Sequence, residues 1–262
     1  MVFRFRRVFA GFMIACSLWS GGKADLVSDI ARIHVEAVGG DARLMRLKGL
    51  RTSGVTKMGD QEIRFQLWAE RPNRIRVETF NGNQTMIQGW DGESDPWIQL
   101  GYDGPVTGFS PGDREEFMAE AEYDDVLFRS AERGYSVDFA GEMLLEGRSV
   151  IKLLVTRNLT QQFVLYLDSS SYVIIRRDDI TERPDGSVDS THTLFGEFRP
   201  VLGVILPHRV TLYRDGALVY EAQMDWMEPN PPVEPGFFSR PEGEGEPDTP
   251  PEEEVPQPGE AS

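Results

Sequence analysis

From Leu50 onward the apolar residues recur at every second position, and turn residues break the pattern every eight to twelve positions, the mark of antiparallel strands joined by hairpins. The clearest strand is Glu62 to Glu70, where Ile63, Phe65, Leu67 and Ala69 face one way and Glu62, Arg64, Gln66 and Glu70 the other. Arg71-Pro72-Asn73 makes a turn, Arg74 to Phe80 repeats the alternation, Asn81-Gly82-Asn83 forms a hairpin, and Gln84 to Trp90 returns before Asp91-Gly92. A second block predicts strands at Tyr135–Phe139, Ser149–Thr156, Gln161–Asp168, Tyr172–Asp178, Val188–Phe198, Ile205–Tyr213 and Ala217–Trp226.

Two stretches have a helical period instead. Leu26, Ile30, Ile33 and Ala37 form an apolar stripe with Asp25 or Ser28 as a cap and Gly39-Gly40 as a stop, and a short helix from Asp41 to Leu47 follows. His34 points off that stripe, so it reads as a surface histidine. Between Ser110 and Arg133, Asp113 is placed to cap a helix containing Phe117, Met118 and Ala121, and Tyr123 to Ala131 predicts another carrying Val126, Leu127 and Phe128. Together these elements predict a mostly β chain with a few helices: about eleven or twelve strands in one strongly curved antiparallel sheet, partly closed and covered by helices.

The ends of the chain read differently. MVFRFRR is basic, Val8 to Trp19 is mostly apolar, and Gly22-Lys23-Ala24 offers the small residues a signal peptidase reads, so residues 1–24 predict a signal peptide and a mature periplasmic chain from Asp25. The alternative is lipidation: Met13-Ile14-Ala15-Cys16 is close to a lipobox, which would leave an outer-membrane lipoprotein anchored at Cys16. Cys16 is the only cysteine, so no internal disulfide is available to the mature chain. Residues 242–262 combine Pro and Gly with Glu242, Glu244, Glu246, Asp248, Glu252, Glu253, Glu254 and Glu260 and carry no Lys or Arg, the composition of a disordered acidic tail. Residues 25–241 remain for one folded domain. The formal net charge of −16 argues against nucleic acid or a bare anionic lipid surface as partner.

Reactive constellations are missing from the pattern. His34, His192 and His208 fall in different elements without metal-ligand spacing, so no metal and no cofactor is expected. Asp124-Asp125 and Asp178-Asp179 read as a solvated helix start and a solvated strand end. An enzyme would need Asp178 or Asp179 to converge with His192 or His208 in a cleft. Ser169-Ser170-Ser171 lies in a hairpin turn, Gly101 to Gly108 lacks the Lys of a phosphate loop and reads as a flexible connection, and Asn83 and Asn158 begin sequons that turn chemistry already explains. The informative side chains are apolar: Trp68, Trp90, Trp97, Trp226, Phe65, Phe139, Phe163 and Phe195 are spread through the strands, and Ile151, Leu153 and Val155 oppose Val150 and Leu154 across one strand. A sheet apolar on both faces needs cover on both, or an apolar guest on one.

Several segments resemble the outer-membrane lipoprotein-sorting family, the LolA/LolB-like periplasmic carriers. They are Val38-Gly39-Gly40 followed by Leu47-Lys48-Gly49-Leu50 and the strand Arg51 to Gly54; Ala69 to Glu78 with its Arg-Pro turn; Gly89-Trp90-Asp91-Gly92 and Pro96-Trp97; Phe195 to Val210; and Asn230 to Phe238 before Pro241. The resemblance covers most of Asp25 to Pro241 and implies an unclosed barrel of about eleven strands, lidded by helices, around an apolar cavity that receives acyl chains. Phe65, Leu67, Ile75, Val77, Trp90, Leu153, Phe163, Leu165 and Ile175 are the inward positions expected to line it. The function so implied is a non-enzymatic envelope carrier or acceptor of lipids or lipidated proteins. It would act as a monomer, passing its cargo to or from an inner- or outer-membrane lipoprotein-handling protein. The alternative is an envelope scaffold or partner-binding module of the same fold whose interior is filled by its own side chains.

Overall fold

The computed structural model describes residues 20–157, 161–182 and 188–241; most of the leader with Cys16, the sequon at Asn158, the Pro184-Asp185-Gly186 turn and the acidic tail lie outside them. Two helices, α1 (Ser20–Ala37) and α2 (Asp41–Arg46), precede six strands: β1 (Gly49–Met58), β2 (Gln61–Glu70), β3 (Arg74–Asn81), β4 (Gln84–Trp90), β5 (Trp97–Leu100) and β6 (Val106–Gly108). After α3 (Pro111–Glu120) come β7 (Ser136–Leu145), β8 (Arg148–Thr156), β9 (Gln162–Asp168), β10 (Ile174–Glu182), β11 (Val188–Gly196), β12 (Arg199–Val201), β13 (Val204–Leu206), β14 (Arg209–Arg214) and β15 (Ala217–Pro229).

Thirteen strands form one antiparallel sheet in the order β6-β5-β4-β3-β2-β1-β15-β14-β11-β10-β9-β8-β7, and β12 pairs with β13 apart from it. The order has two ends, so the sheet is not closed into a barrel, as the family resemblance implied. It holds more strands than the expected eleven because Gly101 to Gly108, expected as a flexible connection, is the turn and second strand of the β5–β6 hairpin, which begins at Trp97. Gln99 closes that hairpin by donating from Nε2 to the carbonyls of Tyr102 (3.1 Å) and Gly104 (3.0 Å).

By its contacts the chain divides into two units, the first made of Met1–Ala42, Val126–Gly196 and Leu212–Leu218, the second of Arg43–Asp125, Glu197–Thr211 and Val219–Ser262. In the first unit, register places Ile151, Leu153 and Val155 of β8 opposite Leu167, Leu165 and Phe163 of β9. These six pack with Ile30 of α1 and with Leu127 into one buried cluster. The helix departs from its expected form in two ways. It begins at Ser20, so Asp25 and Ser28 lie inside it rather than capping it. Its buried row is Ile30, His34 and Val38, while Leu26 is exposed. His34 is thus a core residue, not a surface one: its Nδ1 lies 2.7 Å from the Tyr172 carbonyl, which satisfies a ring nitrogen that burial would otherwise leave unpaired. The second helix expected between Tyr123 and Ala131 is a run of turns, interrupted at Arg129 by a left-handed φ of 53°.

In the second unit, Phe65, Leu67 and Ala69 of β2 oppose Thr79, Val77 and Ile75 of β3, and Ile75 opposes Trp90 of β4, so the period-2 pattern of three strands sums to one apolar face. Gly54 of β1 lies opposite Phe65 at a bulge; a Cβ there would meet the Gln223 carbonyl oxygen and stand 2.9 Å from Phe65 Cζ. Helix α3 covers the apolar face with Phe117 and Ala121. Its cap is Ser110, not Asp113: the Ser110 hydroxyl accepts from the Asp113 amide (3.4 Å) and donates to the Asp113 carboxylate (2.6 Å), with Pro111 starting the helix. The opposite face is covered by the chain's own C-terminal strap. Trp97 Nε1 donates to the Phe238 carbonyl (3.1 Å), Arg76 donates to the Phe237 carbonyl (3.1 Å), and the Phe237 ring meets Trp68 edge-on at 5.3 Å.

Candidate functional site

The nine positions expected to line an acyl cavity fall into two groups. Leu67, Ile75, Val77 and Trp90 share the α3-covered face of the second unit, and Phe65 lies on that face by register. Ile75 and Trp90 are buried, Leu67 and Val77 half-buried, and Trp90 keeps its indole oriented by donating from Nε1 to the Ser94 carbonyl (2.7 Å). Leu153, Phe163 and Leu165 belong to the first unit's cluster, where they are buried together with Ile30 of α1 and Leu127. Ile175 is the extra residue of a bulge between β9 and β10 and is half-buried.

Beside α3 lies an open cavity of about 250 Å³, lined by Gln88, Ile98, Phe109, Asp113, Glu116, Phe117 and Glu120. Phe109 stacks on Phe117 with ring centroids 4.7 Å apart, and both rings also pack on the Ile75–Trp90 face, so the cavity floor continues that apolar surface. Asp113, Glu116 and Glu120 follow one side of the helix at three- and four-residue spacing and form the rim. Their field reaches Tyr220, whose hydroxyl is pushed up to about 12 by burial and then by Glu120 and Glu116. Sequence reasoning missed Ile98 and Phe109 because one lies in, and the other directly follows, a strand only three or four residues long, too short for a period to register.

A second cavity of about 410 Å³ is lined by Met45, Lys48, Gly49, Glu70, Arg71, Asn230 and Pro231. Asn230 braces it by accepting from the amides of Lys48 (2.7 Å) and Gly49 (3.1 Å) and donating to the Arg46 carbonyl (3.0 Å). Arg71 binds the Leu44 carbonyl (3.1 Å) and the carboxylate of Asp124, which is therefore a half-buried ion-pair partner rather than a solvated helix start. Tyr123 beside it has its hydroxyl pushed far up by burial.

The other acidic pair is likewise not a solvated strand end. Asp178 accepts from Arg176 (2.5 Å) and from the Tyr166 hydroxyl (2.9 Å), and Asp179 from Arg177 (2.6 Å). His192 is opposite Asp178 in the β10–β11 register, but its ring stacks on Tyr213 at 4.7 Å while the carboxylate is held by Arg176 and Tyr166. His208 is buried, with Nδ1 3.1 Å from the Leu206 carbonyl. Among the described residues no group of three or more His, Cys, Asp or Glu side chains is placed to hold a metal ion, and no helix is long and apolar enough to cross a membrane.

No family model matches the chain, and no curated protein matches it. Solved structures do. A domain from Vibrio parahaemolyticus described as an outer membrane lipoprotein-sorting protein matches over 82% of this chain and 97% of its own, at 12% identity and a TM-score of 0.57. A DUF1329 family protein from Desulfovibrio piger matches over 82% and 96%, at 11% identity and 0.56. A LolA superfamily protein from Nitrosomonas europaea matches over 83% and 98%, at 12% identity and 0.54. At such identities the likeness is one of fold, and the fold of this chain is that of the LolA-like, outer-membrane lipoprotein-sorting domains.

Proposed function

We propose that this protein is a non-enzymatic carrier or acceptor in the cell envelope that binds acyl chains, free or attached to a lipidated protein, on the apolar face of its second unit. The supporting observation is how that face is covered. Leu67, Ile75, Val77 and Trp90 present a continuous apolar surface under α3, a ten-residue helix that buries little beyond Phe117 and Ala121 and is too short to be stable alone. An acyl chain can compete for such a face. Each methylene moved from water contributes roughly 0.8 kcal/mol, so a long chain gains on the order of 10 kcal/mol, against about 2 to 3 kcal/mol for lifting Phe117 away.

The first unit favours the scaffold reading for its own half, since Leu153, Phe163 and Leu165 are already filled in by α1 and Leu127. We therefore place the acyl site in the second unit and give Leu153, Phe163, Leu165 and Ile175 a structural part. The LolA-like fold supports work in the periplasm, after removal of residues 1–24 or with an anchor at Cys16, and hand-over of cargo to a membrane-bound lipoprotein-handling protein; the mass of the mature N-terminus separates the two forms. The experiment for the function is titration of the purified chain with a fluorescent fatty-acid probe, with mass spectrometry of its organic extract. Co-purified acyl lipid and saturable, displaceable probe binding are expected. A chain free of lipid that also fails to bind the probe overturns the proposal.

A further inference from the structure

Strand β7 ends the thirteen-strand sheet and pairs with β8 on one side only. Such an edge presents backbone donors and acceptors to any extended chain, and proteins normally guard it with bulges, charges or prolines. In β7 the guards are confined to the first half, where a bulge between Phe139 and Gly141 follows Asp138. The second half, Glu142-Met143-Leu144-Leu145, has one charge and three apolar residues. Leu144 is 71% exposed and Met143 41%, whereas Val137 and Phe139 of the first half pack on the buried cluster of Ile151, Leu153 and Leu165.

The turn fixes which groups of this half face outward. Glu146 and Gly147 both have a left-handed φ, 49° and 81°, the two-residue hairpin form that makes Leu145 and Arg148 a hydrogen-bonded pair. Bonded and non-bonded pairs alternate from there, so the N–H and C=O of Leu144 and Glu142 point away from β8. Glu142 shares a face with Leu144, opposite Ile151 and Ser149, and forms no ion pair among the described residues. Lys152 and Arg148, opposite Gly141 and Leu145, are on the other face.

We propose that Glu142–Leu145 docks an extended segment of a partner protein as one more antiparallel strand, read in the partner as apolar, apolar, basic to meet Leu144, Met143 and Glu142 in turn. Main-chain bonds to the outward groups supply affinity, and the three side chains set the sequence. A second copy of this chain is the poorer occupant. Its β7 carries no Lys or Arg to meet Glu142 and Asp138, and its formal net charge of −16 repels an equal charge. The surface belongs to the first unit and is independent of acyl binding in the second.

The test adds the end-blocked peptides TVVKVT and TVVEVT to the full chain, read by fluorescence anisotropy of dye-labelled copies and by residue-resolved amide hydrogen exchange. TVVKVT is expected to bind about fivefold more tightly than TVVEVT, the worth of one cross-strand charge pair. It should slow exchange of the Glu142 and Leu144 amides about tenfold. Glu142→Lys should reverse the preference between the two peptides. Leu144→Pro removes an outward N–H and no bond to β8, so it should abolish binding while leaving the urea midpoint nearly unmoved. Absence of saturable binding by either peptide, binding that leaves those two amides unprotected, or a preference unchanged by Glu142→Lys overturns the proposal. Protection of the same amides by a concentration-dependent dimer without peptide also overturns it, in favour of a second copy.

Discussion

The indole of Trp97 lies against the backbone of Gly89, its Cε2 and Cζ2 atoms filling the space a Cβ on that residue would take. Trp97 is buried and tied through Nε1 to the Phe238 carbonyl, so the ring has no room to retreat. Gly89→Ala should therefore act as an overpacking change and destabilise the protein by about 2 to 3 kcal/mol. Urea unfolding measures it, and a loss under about 0.5 kcal/mol would show that the strap and ring shift freely.

Arg71 and Asp124 form a half-buried pair that joins the β2–β3 turn to the segment after α3. Asp124→Ala removes the charged acceptor but leaves the guanidinium its bond to the Leu44 carbonyl, so it should cost about 2 kcal/mol. Arg71→Lys keeps the charge but not the fork that serves Asp124 and the Leu44 carbonyl together, so it should cost about 1 to 2 kcal/mol. A double-mutant cycle from denaturant midpoints checks both, and additive losses would mean that the two side chains are not coupled.

Phe117 separates stability from ligand uptake. Phe117→Ala removes the main anchor of α3 and should lower stability by about 3 kcal/mol. If α3 covers the acyl site, the same change lowers the cost of uncovering it, and the fatty-acid probe should bind more tightly. Weaker stability with unchanged or weaker probe binding would count against a site under α3.

Asp168 provides an acid-sensitive turn. Amides of Ser171 (2.9 Å) and Ser170 (3.0 Å) and the Ser171 hydroxyl (3.1 Å) donate to its carboxylate, and the Ser171 amide above all, with Arg148 nearby, holds it below the usual aspartate range. A carboxyl lowered in the folded state stabilises it fully above its unfolded value, about 4, and that contribution is lost as pH falls through the lower folded value. Asp168→Asn should thus melt below the native protein at pH 7, with the gap closing on acidification below about pH 4. A gap constant across that range would remove the assignment.

The sequence by itself determined the repeating parts of this molecule. Side-chain alternation in Glu62–Glu70, Arg74–Phe80 and Gln84–Trp90 fixes which face of β2, β3 and β4 is apolar, because strand geometry is local and a one-residue slip would expose the whole set. Phe65, Leu67, Ile75, Val77 and Trp90 fall on one face for that reason. Only the tertiary structure decided what covers those faces, because the deciding contacts join distant positions. His34 meets a carbonyl 138 residues away, Arg71 a carboxylate 53 away, and Trp97 a carbonyl 141 away. No period of two or 3.6 records such pairings. The burial of His34, the ion pair of Asp124 and the strap over the face opposite α3 therefore became visible only once the chain was folded.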